Sequence, residues 1–299
     1  MSRKSHTQRR RRHSSATGVT SFTSDFNYIC KRFPNRIGIV SEGDSWFAYP
    51  RKWIALGADI NIVHHIEDTI ASTNTVNLLR LASNGDEAVN MISGKQKEKL
   101  ERVFKQNADY IKLILFSGGG NDIVGKRDML ELLNPYETGF SAAQCINQQR
   151  FNRKLEAVML AFDRLVDMRD EYAPKAKIVT HCYDIAKPSA EGAAFFWGLI
   201  KTKPWIYPYL QKKYIPEALH QPIVEILLGS LKTRLGQFVK EAEHHQKIFM
   251  VDTQGILRPG HKTDWLNEIH PTESGFKKIA EPIYAQMRQL EPDLPEWEA

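Results

Sequence analysis

Residues 36–50 read RIGIVSEGDSWFAYP. A short apolar run ends in a Gly-Asp pair, and a serine and two large aromatics follow. The run RIGIV has the length and β-branched content of a buried strand. Ser45 is therefore placed just beyond a strand's carboxyl end. In open α/β sheets that edge is where ligands bind and where loops carry chemistry.

Four further runs of the same kind follow: TVNLLRLAS (75–83), YIKLILFSG (110–118), AKIVTHCYD (176–184) and KIFMVDT (247–253). Between them lie segments with helical spacing. Phe151, Leu155, Val158, Met159, Phe162, Leu165 and Val166 share one face of a 3.6-residue period. So do Ile223, Ile226, Leu227, Leu231, Leu235, Phe238 and Val239 after Pro222. A closing helix starting at PTESGF presents Ile279, Ile283 and Met287. Strands of this length alternating with long helices predict βαβ units with right-handed crossovers. The expected fold is an α/β three-layer α/β/α sandwich around a parallel sheet of about five strands.

The stretch 186–222 breaks the rhythm. Phe195, Phe196, Trp197, Trp205, Tyr207, Tyr209 and Tyr214 crowd among prolines that preclude one long helix. It leaves the fourth strand on the edge where Ser45 lies, and reads as a cap over that edge.

The net charge of +6 resolves once it is located along the chain. Arg3, Lys4, Arg9, Arg10, Arg11 and Arg12 precede the first acid, Asp25, so the remainder is formally neutral. The basicity belongs to a Ser/Thr/Arg-rich tail over 1–24, read as disordered, with one folded domain over 25–299. Weak contact of that tail with an anionic membrane or nucleic acid is the partner expectation it raises. No apolar run approaches the roughly 20 residues of a membrane span, and no apolar segment follows the basic start as in a secretory signal. Cys30, Cys145 and Cys182 show no CxxC spacing, which argues against a disulfide framework or a zinc site and fits a reducing cytoplasm. The pairs His64/His65 and His244/His245 are adjacent, so their rings face different ways and read as surface residues rather than metal ligands.

Four motifs fall on the same sheet edge: GDSW (43–46), SNGDEA (83–88), GGGND (118–122) and NEIHPTESGF (267–276). In this order, from about 37 to 290, the chain resembles the SGNH hydrolases, also called the GDSL esterase/lipase family. The residue types suit acyl transfer, which needs a nucleophile, a base and donors aimed at a developing oxyanion. Ser45 is the natural nucleophile and His270 the base. Gly85 lets a backbone N–H approach a substrate, and the Asn121 amide is a neutral donor. With the Ser45 N–H, these two make the three-donor oxyanion hole that the resemblance implies. The absence of G-x-S-x-G disfavours the α/β-hydrolase elbow, and no phosphate-loop or dinucleotide pattern occurs.

The family usually places an aspartate three residues before the histidine, and here that slot is Asn267. Three completions stay open: Asn267 as a neutral acceptor, Asp264 reaching back with its charge, or a backbone carbonyl. Glu268 points to the opposite side of an extended segment. The resemblance implies a small-molecule or lipid ester as substrate, with neither metal nor organic cofactor. Two other classes stand beside it: an SGNH-fold binding protein impaired by Asn267, and a nucleic-acid- or membrane-associated protein acting through the arginine arm.

Overall fold

The run that opens the chain's first motif becomes the centre of the sheet. The structure, a computed structural model, describes residues 17–49, 60–71, 73–190, 194–195, 200–201, 204–241 and 244–297. The strands of its main sheet are β1 (Val19–Thr20), β2 (Ile37–Gly43), β3 (Val76–Arg80), β4 (Ile111–Ser117), β5 (Lys177–His181) and β6 (Ile248–Val251). All pair in parallel in the order β1-β3-β2-β4-β5-β6. Every residue of β2 is buried, as a central parallel strand covered on both faces must be.

The sandwich is the one expected, with a sixth strand at the edge. Val19–Thr20 pairs with Leu78 and Leu79 of β3, and helix α1 (Thr23–Arg32) follows at once. The folded part therefore begins ahead of the expected boundary at 25. The arginine run lies in 1–16, outside the described residues.

Helices α2 (Ser45–Ala48), α3 (Ile62–Ala71), α4 (Gly94–Asn107), α5 (Gln148–Tyr172), α6 (His220–Phe238) and α7 (Glu273–Leu290) complete the layers. On one face α3 packs on α7; on the other α1, α4, α5 and α6 contact one another in turn. The apolar stripes are those the spacing predicts. Helix α5 buries Phe151, Leu155, Val158, Phe162 and Leu165, and α7 buries Phe276, Ile279, Ile283 and Met287. Each such side chain contributes about 1.5–3 kcal/mol on full burial. The caps are local: the Asn147 side chain accepts from the Arg150 N–H, and Thr272 accepts from the Gly275 N–H. Among the described residues no helix is long and apolar enough to cross a membrane.

Sheet topology fixes where chemistry can sit. After β2 the chain crosses to β3 on one side, then returns past β2 to β4 on the other. The strand order reverses at β2, and Ser45 begins the helix that leaves its carboxyl end. Such a switch point opens a crevice between diverging loops. Gly43, the last residue of β2, is needed for close packing there: a Cβ would lie 2.8 Å from Ser117 Cβ and 2.9 Å from Ser117 O.

Candidate active site

The loops that follow β3 and β4 are stitched to the end of β2. Leu81 N donates to Ser41 O and Ser83 N to Gly43 O, both at 2.8 Å, so the SNGDEA loop continues the sheet edge beside Ser45. On the other side Asp44 N donates to Ser117 O, which brings the GGGND loop alongside. The two loops are then fastened to each other. The buried Asp122 carboxylate accepts from Ala88 N at 2.7 Å, and Asn121 Nδ2 donates to Asp86 O at 2.9 Å.

Ser45 is the first residue of α2, where a backbone N–H has no intrahelical acceptor. The helix is started by Asp44, whose side chain accepts from Trp46 N. That carboxylate also accepts from Ser117 Oγ and from the Tyr183 hydroxyl. Burial pushes its carboxyl up to about 7, against the pull of these donors. Ser117 Oγ in turn meets His181 Nε2 at 3.0 Å, and burial lowers the His181 imidazole to about 4. Trp46 lies over the His181 ring with centroids 5.5 Å apart. The floor of the site is thus a buried polar network joining the ends of β2, β4 and β5.

His270 arrives on the turn ahead of α7. Leu266 N bonds to His270 O, Thr272 N bonds to Asp264 O, and Trp265 bridges to Pro271. The Trp46 indole N–H donates to Ile269 O at 3.2 Å, tying this turn to the serine's helix. His270 Nε2 lies 2.9 Å from Ser45 Oγ, and both residues are buried. Residues 225 positions apart are therefore in hydrogen-bond contact.

Asn267 occupies the third position. Its Oδ1 accepts from Ile269 N at 3.0 Å and His270 N at 2.9 Å, and its Nδ2 lies 3.3 Å from the Tyr49 hydroxyl. Two backbone donors fix which end of the amide is the oxygen. That oxygen is 3.1 Å from His270 Nδ1, so Nδ1 carries the proton and Nε2 presents its lone pair to the serine. Tyr49 also covers the imidazole, with ring centroids 4.1 Å apart. Burial holds the His270 imidazole down to about 3: the ring is enclosed and its partner carries no charge.

Asp264 does not join this chain, which corrects the expectation that its charge reaches back to the histidine. Its buried carboxylate faces the other way, accepting from Arg258 Nε at 2.9 Å, Lys278 Nζ at 2.7 Å and Arg258 N at 3.1 Å. The two cations hold its carboxyl well below the ordinary carboxylate range. It therefore stabilises the fold above that range, and the contribution is lost as pH falls through the folded value. Asp264→Asn is expected to lower the melting temperature by several degrees at pH 7, which a thermal melt checks.

Glu268 lies on the same turn, which is not extended, and its carboxylate accepts from backbone N–H groups at 189 and 205–207. Of the two residues expected as further donors, Asn121 lies beside Ser45 and Gly85 lies on the neighbouring loop. Asn121 lines one crevice with Ser45, Asp44, Tyr183 and Leu228. Gly85 sits beside Asp86, in the left-handed region at φ 89° with open space around its α-carbon. The histidine pairs lie elsewhere. His64 meets Asp68 at 3.3 Å, and His65 Nε2 lies 3.1 Å from Glu273 O. His244 corrects the surface reading: it is buried, stacked on Phe238 and 3.0 Å from Asp163. Cys30, Cys145 and Cys182 are free and buried. Tyr49, Trp46 and Tyr183 were missed from the sequence; the aromatics after the serine were the available signal for the first two.

No protein-family model and no curated protein sequence matches the chain. Solved structures do. An extracellular lipase from Streptomyces rimosus superposes with a TM-score of 0.53 at 15% identity, over 84% of this chain and 99% of its own. The lipase Lip_vut3 from a goat rumen metagenome superposes with a TM-score of 0.50 at 14% identity, over 88% of this chain and 100% of its own. With the four motifs in order around the switch point of a parallel sheet, these likenesses give the chain the fold of the SGNH hydrolases.

Proposed function

We propose that the protein is a serine ester hydrolase working through an acyl-serine intermediate. One observation carries this reading: the unbroken hydrogen-bonded series Ser45 Oγ, His270 Nε2, His270 Nδ1 and Asn267 Oδ1 at the end of the central strand. Ser45 Oγ attacks the ester carbonyl carbon as His270 Nε2 takes its proton. The carbonyl oxygen becomes an oxyanion that the Ser45 and Gly85 N–H groups and the Asn121 amide would stabilise. An amide nitrogen has two hydrogens, so donation to Asp86 leaves one for this oxygen. Collapse breaks the bond to the alcohol, which leaves with the proton from Nε2. Water then enters on the same base, and hydrolysis of the acyl-serine restores the enzyme.

The crevice favours a small acyl group. Beside Ser45, the space among Val124, Tyr183, Ala186, Leu228 and Ile269 amounts to about 20 Å³, room for about one water-sized group. This size supports an acyl group as small as acetyl. Across p-nitrophenyl esters from acetyl to palmitoyl, kcat/KM is expected to be highest at the acetyl end. A maximum at palmitoyl would overturn the short-acyl assignment, and no turnover of any ester would overturn the hydrolase reading. Asn121→Ala is expected to lower kcat by about 10²–10³, the cost of one oxyanion donor, measured on the acetyl ester. Three unpaired thiols suit a reducing compartment, and we place the enzyme in the cytoplasm.

A further inference from the structure

The turn that carries His270 holds a second buried carboxylate with an unrelated set of partners. Glu268 is 2% exposed, and its two oxygens accept four backbone N–H groups from the cap segment. Oε1 takes Ser189 N at 3.2 Å and Tyr207 N at 2.7 Å; Oε2 takes Ile206 N at 2.8 Å and Trp205 N. A carboxylate has about four lone-pair sites, and here all four go to one stretch of chain. Burial pushes the Glu268 carboxyl up while these four donors pull it down.

What the clasp fixes is the position of Trp205. Its ring stands edge-on to the His270 ring, with centroids 5.5 Å apart and planes at 87°. Trp205 as a residue is half-buried. The side of the substrate that meets it follows from the chemistry. The proton on His270 Nε2 must pass to the oxygen of the leaving alcohol, so that alcohol comes to the imidazole, and the groups packed around the imidazole border it. On the esterase reading, the acyl group takes the crevice lined by Val124 and Leu228.

Resting on the esterase reading, we infer that Glu268 fastens Trp205 beside His270 as the wall of an alcohol-side subsite, and that this subsite takes esters of ring-bearing alcohols with a flat apolar face. Glu268 is a positioning residue, and Trp205 supplies the contact. An indole offers such a ring offset-stacked or edge-to-face packing, which an alkyl alcohol of two carbons cannot use.

Benzyl acetate and ethyl acetate share the acyl group and differ in the alcohol, so their ratio of kcat/KM reads the subsite. That ratio is expected to fall about tenfold in Trp205→Ala and in Glu268→Gln alike, mainly through KM for the benzyl ester. In Glu268→Gln an amide NH2 replaces an acceptor facing two N–H groups, so amide hydrogen exchange at 205–207 is expected to quicken at least about tenfold. In Trp205→Ala that exchange stays slow. Unchanged exchange in Glu268→Gln would overturn the clasp. Faster exchange with an unchanged ester ratio, or a ratio unmoved in Trp205→Ala, would overturn the subsite. Failure of wild-type Ser45 to react with a fluorophosphonate would overturn the esterase reading and the subsite with it, leaving the clasp to be judged on exchange alone.

Discussion

Ser45→Ala is expected to lower the turnover of a short acyl ester by about 10⁴–10⁶, to a remainder carried by binding and the oxyanion donors. The size of the loss follows from the mechanism: among the described residues, Ser45 Oγ is the oxygen in hydrogen-bond contact with His270 Nε2. Folding should survive the change. The helix at this position is started by the Asp44 side chain, not by the serine hydroxyl. What remains unpaired is one imidazole nitrogen, and leaving a buried polar atom unsatisfied costs about 1–3 kcal/mol. Initial rates with p-nitrophenyl acetate, alongside a thermal melt, separate lost chemistry from lost structure. A variant that keeps its melting transition and its rate would show that hydrolysis runs elsewhere.

Asn267→Asp is expected to gain activity. Asn267 orients the imidazole but cannot stabilise the imidazolium that forms as the serine gives up its proton. In serine proteases the reverse change lowers turnover by about 10⁴. Two unit charges about 5 Å apart at an effective dielectric of about 20 attract by about 3 kcal/mol, and about 3 kcal/mol of barrier is about 10²-fold in rate. A carboxylate here would keep the three donors that Oδ1 now has: Ile269 N, His270 N and His270 Nδ1. The Tyr49 hydroxyl, now beside Nδ2, would turn to donate. The same charge moves the pH profile. With the imidazole held down to about 3, wild-type kcat/KM should be flat through pH 5–8, because the base is already unprotonated. A neighbouring carboxylate raises that value, so the acid limb of Asn267→Asp should move up by about 2 pH units. A drop in rate, or a limb that does not move, would show that Asn267 is not the ring's partner in turnover.

Most of what positions this site could be read from the chain. Strands buried on both faces appear as unbroken apolar runs, and helices packed on one face appear as a 3.6-residue period, so β2 to β6 and α5 to α7 were visible. The motifs at the strand ends carried Ser45, Gly85, Asn121 and His270. Val19–Thr20 was not visible, because two residues form no pattern and the stretch before them reads as a tail. Asp264 was misassigned for a different reason. Three residues of spacing say nothing about a turn, and Trp265 pairing with Pro271 aims that carboxylate at Arg258 and Lys278. The contact of Asp44 with Tyr183 spans 139 positions, a separation at which only the folded sheet brings residues together. Asn267 was legible as the odd residue of its motif; the direction of its amide needed the neighbouring N–H groups.

The central claim is that Ser45 is made nucleophilic by His270, and covalent capture tests it most directly. Wild-type protein treated with a fluorophosphonate should gain one adduct by intact mass. Peptide mapping should place it on Ser45, with labelling lost in Ser45→Ala and slowed at least about 10²-fold in His270→Ala. An adduct on another residue, or none at all on protein with a native melting transition, would contradict it.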